Sequence, residues 1–129
     1  NDVQFLAISS NSLITHPQDS PELLASQANK LGWKFPYLFD SDQELAKALK
    51  AACTPDFYIF WPSDHGDLEL RYRGQMDGSR PGNDVPVNGE NIRLALDNLL
   101  KGGDVSADQK ASIGCNIKWH PGKEPEWYG

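Results

Sequence analysis

Ala51-Ala52-Cys53-Thr54-Pro55-Asp56-Phe57-Tyr58-Ile59-Phe60-Trp61 is the stretch on which the fold turns. Phe57 to Trp61 is an unbroken apolar and aromatic run, too short for a helix and flanked by prolines, so it reads as a buried strand. Pro62 to Asp67 is a polar turn carrying Gly66. Leu68-Glu69-Leu70-Arg71-Tyr72-Arg73 then alternates strictly, which predicts a half-buried strand antiparallel to the first. Leu68, Leu70 and Tyr72 are expected inward, and Glu69, Arg71 and Arg73 outward. A Gly- and Pro-rich loop over 74–88 leads to a helix that starts at Asn88 or Gly89 and runs to about Lys101. Ile92, Ala95, Leu96, Leu99 and Leu100 mark its buried face, and Gly102-Gly103 stops it.

Upstream, residues 3–9 are nearly all apolar and read as a strand buried on both faces. Ser20-Pro21 opens a helix, because a Ser side chain caps well and Pro suits the first turn. Leu23, Leu24, Ala28 and Leu31 share its apolar face, and Gly32 ends it. Pro36 makes Trp33 to Phe39 a short extended piece, not a central strand. Ser41-Asp42-Gln43-Glu44 has the form of a capping box for a helix from Asp42 to about Ala51, with Leu45, Ala48 and Leu49 inward. The order β-α-α-β-β-α predicts an α/β core over 1–103, with a mixed sheet flanked by helices. Residues 104–129 lack periodicity and read as an extended surface tail.

A length of 129 residues fits one domain. Eighteen acids against twelve Lys and Arg leave a net charge of −6, which argues against a nucleic-acid partner, since phosphates demand a basic face. No apolar run approaches the ~20 residues of a membrane span. His16, His65 and His120 are scattered without ligand spacing, and neither a P-loop nor a Gly-x-Gly-x-x-Gly occurs, so neither metal nor cofactor is expected. The chain begins at Asn1, which reads as a start from which something upstream was removed or is absent.

Cys53 and Cys115 are the only cysteines and form no Cys-x-x-Cys. Each reads either as a packing thiol or as a redox thiol. A bridge between them is possible and is not decided by the sequence. Cys53 has no Lys, Arg or His within two residues to activate it, whereas Cys115 has Lys118 three residues on. Arg80, on the loop Ser79-Arg80-Pro81-Gly82-Asn83, reads as a guanidinium that positions an anion or a thiolate, or as a partner of Asp77 or Asp84.

These segments also carry a resemblance. Ala7-Ile8-Ser9-Ser10-Asn11, Tyr37-Leu38-Phe39-Asp40, Ala51 to Phe57, Tyr72-Arg73-Gly74-Gln75, Asp77 to Asn83 and Ser112 to Trp119, in this order and spacing, resemble the peroxiredoxin-like (redoxin) branch of the thioredoxin superfamily. The relatives are the alkyl hydroperoxide reductase and thiol-specific antioxidant proteins. The resemblance spans almost the whole chain and implies a thioredoxin-like fold in which Pro55 is a cis-proline facing the redox site. Thr54 and Pro55 would form the platform of that site, with Cys53 and Cys115 as accessory or resolving thiols. It also implies a central strand, and a first helix bearing the reactive cysteine, that this chain lacks. That strand would lie between residues 3–9 and 57–61, so a missing N-terminal segment or a protein partner is expected to complete the sheet. Bacterial cells and plastids are both compatible with the resemblance.

Two functions follow as expectations. One is thiol–disulfide or peroxide chemistry in a parent protein. The other is a non-catalytic thioredoxin-like subunit that docks through its open sheet and its tail residues Trp119, Trp127 and Tyr128.

Overall fold

The computed structural model describes residues 3–128. The chain is a mixed α/β protein with small two-stranded sheets and flanking helices. It divides into two units, residues 1–52 with 116–129, and residues 53–115. Stretch 104–129 is therefore shared between them.

In the first unit, β1 (Ala7–Ser9) runs parallel to β2 (Tyr37–Phe39) with Ile8 opposite Leu38. A short turn of 3-10 helix (Pro17–Asp19) and α1 (Pro21–Leu31) form the crossover. Ser20 caps α1 by accepting a hydrogen bond from the Leu23 N–H, Pro21 occupies the first turn, and Gly32 ends it at φ +70°. The piece after Pro36 is thus a strand of three residues, and the Pro36 carbonyl accepts from the Ala7 N–H at 3.0 Å. No strand pairs with the other edge of β1 among the described residues.

Two expectations fail in this unit. β1 is not buried on both faces: Ile8 is 39% exposed and Leu6 54%. α1 buries no residue fully, and Leu23 and Leu31 lie more than half exposed. Apolar periodicity marks a face that prefers burial, but only a neighbouring element can bury it. The unit's small apolar cluster is Ala46, Ala51, Ile117 and Trp119.

The capping box is also not made. α2 spans Glu44–Ala48, and its N-cap is Gln43, left-handed at φ +63° and without a side-chain cap. Asp40 does the capping instead: its two carboxylate oxygens accept from the N–H groups of Leu45 and Ala46 at 3.2 and 2.9 Å. This late start puts Ala46 inward, while Leu45 is 40% exposed.

The second unit is built on β4 (Phe57–Pro62) and β5 (Leu68–Gly74), an antiparallel hairpin. Its ladder slips between Ile59, which faces Tyr72, and Phe60, which faces Leu70. Arg71 is the extra residue, and such a bulge breaks the inward–outward alternation. Tyr72 is buried as expected, whereas Leu68 and Leu70 are 68% and 47% exposed. α3 (Glu90–Leu100) packs Ala95 and Leu99 against Ile59 and Tyr72, with Ile92, Leu96, Trp61 and Val105 around them. Gly89 is its N-cap at φ +68°.

Tail residues 106–110 in this unit run along β5. The Gln109 side-chain amide accepts from the Arg73 N–H and donates to the Arg71 carbonyl, and the Lys110 carbonyl accepts from the Gln75 N–H. No helix among the described residues is long and apolar enough to cross a membrane.

Candidate functional site

β3 (Cys53–Thr54) lies alongside the Cys115 end of β6 (Cys115–Asn116). The Thr54 hydroxyl donates to the Cys115 carbonyl at 3.3 Å. Thr54–Pro55 is a cis peptide. Gly114 lies so close to the Thr54 carbonyl and the Pro55 nitrogen that a Cβ there would collide with backbone. Only glycine permits that approach, so residue 114 is what lets the tail lie across this proline. Nothing in the sequence marks Gly114 for this role, because a contact between backbones 60 residues apart leaves no local pattern.

Two cysteines with 61 residues between them in the chain thus lie against one Thr-Pro pair. Both are free thiols, Cys53 buried and Cys115 exposed. The Cys53 Sγ lies 3.7 Å from the Pro55 carbonyl oxygen. Burial pushes the Cys53 thiol up, the carboxylate of Asp56 pushes it further, and the cations Arg73 and Arg80 only partly oppose this. Cys53 is therefore protonated at neutral pH and a poor nucleophile in this arrangement.

Beside it stands a polar group that the sequence reading did not single out. The Asp56 carboxylate accepts from the Tyr58 hydroxyl at 3.0 Å and lies 3.4 Å from the Arg73 guanidinium. Asp56 is buried, and Arg73 stacks over the Tyr58 ring at 5.4 Å. Burial first, and then the Asp56 charge, push the Tyr58 phenol far above its ordinary value, so it is a fixed donor and not an acid at any physiological pH. Arg73 was expected to face water; it lies opposite Tyr58 on the face away from Tyr72, its side chain is 37% exposed, and from there it reaches the Asp56 carboxylate.

Arg80 lies on the loop before α3. Its Nη1 donates to the carbonyls of Asp77 and Ser79, at 2.9 and 2.7 Å, and its Nη2 donates to the Gln75 side-chain oxygen at 2.7 Å. Its guanidinium donors go to these carbonyls and the Gln75 amide, not to the carboxylate of Asp77 or Asp84. Asp77 is occupied elsewhere. Its carboxylate accepts from the N–H groups of Gly89, Asn88 and Ser79, which hold its pKa below the usual carboxylate range, with help from the Arg80 charge. This carboxylate ties the loop to the start of α3.

The two tail segments behave differently. Trp119 is buried at 6% exposure, which corrects the expectation that it docks on a partner, while Trp127 and Tyr128 are 44% and 50% exposed. Residues 116–120 are held inside the first unit. The Gln43 amide donates to the carbonyls of Ser10 and Lys118 and accepts from the His120 N–H. The His120 ring bridges the Ser12 hydroxyl and the Ser41 carbonyl at 2.8 and 2.9 Å. No group of three or more His, Cys, Asp or Glu among the described residues is placed to hold a metal ion.

No protein-family model matches the chain, and no curated protein matches it. Solved structures are similar to it, among them the following two. One is an uncharacterized conserved protein from Geobacillus kaustophilus, 57% identical over 92% of this chain, with a TM-score of 0.85. The other is a hypothetical protein from Sinorhizobium meliloti 1021, 44% identical over 92% of this chain, with a TM-score of 0.83. The chain spans 61% and 63% of the length of those two proteins, so each carries further sequence that this chain does not match.

Proposed function

We propose that this chain is the larger part of a thioredoxin-like, peroxiredoxin-like oxidoreductase, whose parent protein carries out thiol–disulfide or peroxide chemistry. The reactive thiol belongs to a part of the parent outside these residues. Cys115 acts as the resolving thiol, Thr54 and Pro55 form the platform beneath it, and Cys53 is an accessory thiol. The observation that carries the reading is that Cys115 and Cys53, with 61 residues between them in the chain, both lie against Thr54-Pro55. The open edge of β1 supports the view that the rest of the parent, or a protein partner, completes the sheet. In the balanced reaction, two thiols and one hydroperoxide give a disulfide, an alcohol and water, with both thiol protons passing to the oxygen products.

The test is peroxide-dependent thiol consumption by the full-length parent, with Cys115→Ser and Cys53→Ser. Cys115→Ser is expected to slow turnover more, because the Cys115 thiol is exposed and that of Cys53 is buried and held protonated. A parent with no peroxide- or disulfide-dependent turnover would sink the enzyme reading. It would favour the second one, a non-catalytic thioredoxin-like docking subunit, for which the exposed Trp127 and Tyr128 speak.

A further inference from the structure

β5 is the longest strand among the described residues, and one of its two edges belongs to β4. A long bare edge is a template on which another chain's strand can pair, and proteins blunt such edges with Pro, Lys, a bulge or a cover. Leu68 to Gly74 contains neither Pro nor Lys, and its bulge sits at one point only, at Arg71. Leu68 and Leu70 are exposed beside it.

The second edge of β5 is covered by residues 106–110 of the same unit. The Gln109 side-chain amide stands where a neighbouring strand would place a peptide group. Its oxygen accepts from the Arg73 N–H at 3.0 Å, and its nitrogen donates to the Arg71 carbonyl at 2.9 Å. Two residues further on, the Gln75 N–H donates to the Lys110 carbonyl at 2.9 Å. Residues 71, 73 and 75 alternate along the chain, so their outward backbone groups share one edge. Gly74 makes room for this approach, because a Cβ there would collide with the Lys110 carbonyl. A local turn aims the amide: the Ser106 hydroxyl accepts from the Asp108 N–H, and the Ser106 carbonyl from the Gln109 side-chain nitrogen, both at 3.1 Å.

This cover ends the sheet instead of extending it. A third strand would satisfy β5 and then present a fresh edge of its own. A side-chain amide has no further backbone groups to offer, and both N–H hydrogens of Gln109 are already engaged, by the Arg71 and Ser106 carbonyls.

We propose that residues 106–110 are an edge guard, which keeps β5 from pairing with β5 of a second copy of this chain. The residues of β5 favour that partner. An antiparallel pairing of two copies centred on Leu70 brings their exposed Leu68 and Leu70 side chains together and sets Glu69 of each copy across from Arg71 of the other, opposite charges. The guard stands on these contacts and not on the thiols, so its failure and that of the redox reading are separable.

The test is Gln109→Ala in the full-length parent, read by hydrogen exchange and by sedimentation over a range of concentrations. Exchange of the Arg73 amide, measured at low concentration, is expected to rise about tenfold or more, because its acceptor is gone. Self-association is expected to tighten by about tenfold or more relative to wild type. Leu70→Lys, added to Gln109→Ala, puts a desolvation-resistant charge on the uncovered edge and should return sedimentation to that of wild type. A protein that associates because it has unfolded is not rescued in this way. Unchanged Arg73 exchange overturns the proposal. So does sedimentation of Gln109→Ala that matches wild type at every concentration, or association that survives Leu70→Lys.

Discussion

The two units solve the same problem with different chemistry. The unit of residues 53–115 has a hairpin and a helix that close on Ile59, Tyr72, Ala95 and Leu99, an apolar cluster of ordinary kind. The other unit has a smaller cluster and holds its tail with polar side chains instead. Gln43 and Ser12, its most deeply buried side chains, are both polar, and Gln43 alone satisfies two carbonyls and one N–H. Apolar packing tolerates small shifts because it has no direction. A network of hydrogen bonds demands fixed geometry, and its members are costly once left unpaired. The second unit should therefore lose stability in proportion to volume removed, and the first in proportion to bonds orphaned.

The strongest test of that contrast is a pair of truncations. Leu99→Ala removes buried volume and should cost about 2–5 kcal/mol in denaturant unfolding. Gln43→Ala removes little apolar surface, yet it strands the Ser10 and Lys118 carbonyls and the His120 N–H, and should cost about 2–4 kcal/mol. Gln43→Gly relaxes the left-handed backbone while losing the same bonds. If Gly restores stability and Ala does not, backbone strain and not the network was the issue, and the comparison breaks.

A smaller effect is expected from Gly114→Ala. The new Cβ meets the Thr54 carbonyl, so the tail must lift, at about 1–3 kcal/mol. Alkylation of Cys115 should become faster as its segment loosens. An unchanged rate and unchanged stability would show that the tail does not rest on Thr54-Pro55.

Thiol trapping separates the two cysteines in the intact protein. At pH 8, Cys115 should react with iodoacetamide at least about tenfold faster than Cys53, since one is exposed and the other buried with its thiol pushed up, chiefly by burial and then by Asp56. Comparable rates would mean that β3 opens readily.

The smallest effect is pH-dependent. The folded-state pKa of Asp77 is depressed, by the N–H of Gly89 first and then by those of Ser79 and Asn88 and by Arg80. A depressed carboxylate contributes stability that is fully present above its unfolded pKa of ~3.9 and is lost as pH falls through the lower folded value. Asp77→Asn should flatten the acid limb of the stability curve below about pH 4 and lower the plateau above it. Parallel acid limbs for the two proteins would show that the loop before α3 is held by other contacts.

Much of the secondary structure was legible because its signals are local. Ser20-Pro21 and Gly32 bound α1 where the residue types required, and α3 has the buried residues Ala95 and Leu99 on the face that its periodicity marked. The capping box misled because the Glu44 N–H that Ser41 would cap goes to the Asp42 carboxylate, and Asp40, one residue upstream, takes the next two, of Leu45 and Ala46. Strict alternation in 68–73 misled because one bulge at Arg71 changes the phase, and a bulge has no sequence signature of its own.

The candidate site divides in the same way. Cys53, Arg80 and Cys115 could be picked out by residue type, whereas the role of Thr54 and Pro55 came from the resemblance. The sequence by itself determined where α1, α3 and the 57–73 hairpin lie, that the net charge is −6, and that no Cys-x-x-Cys is present. Tertiary structure alone decided that Gly114 rests on Thr54-Pro55, that Arg73 answers Asp56, that Trp119 is buried, and that Arg80 is held by Asp77, Ser79 and Gln75. The physical reason is range. Propensity and capping act over three or four residues, whereas burial, ion pairing and unmet hydrogen bonds are fixed by groups that only folding brings together.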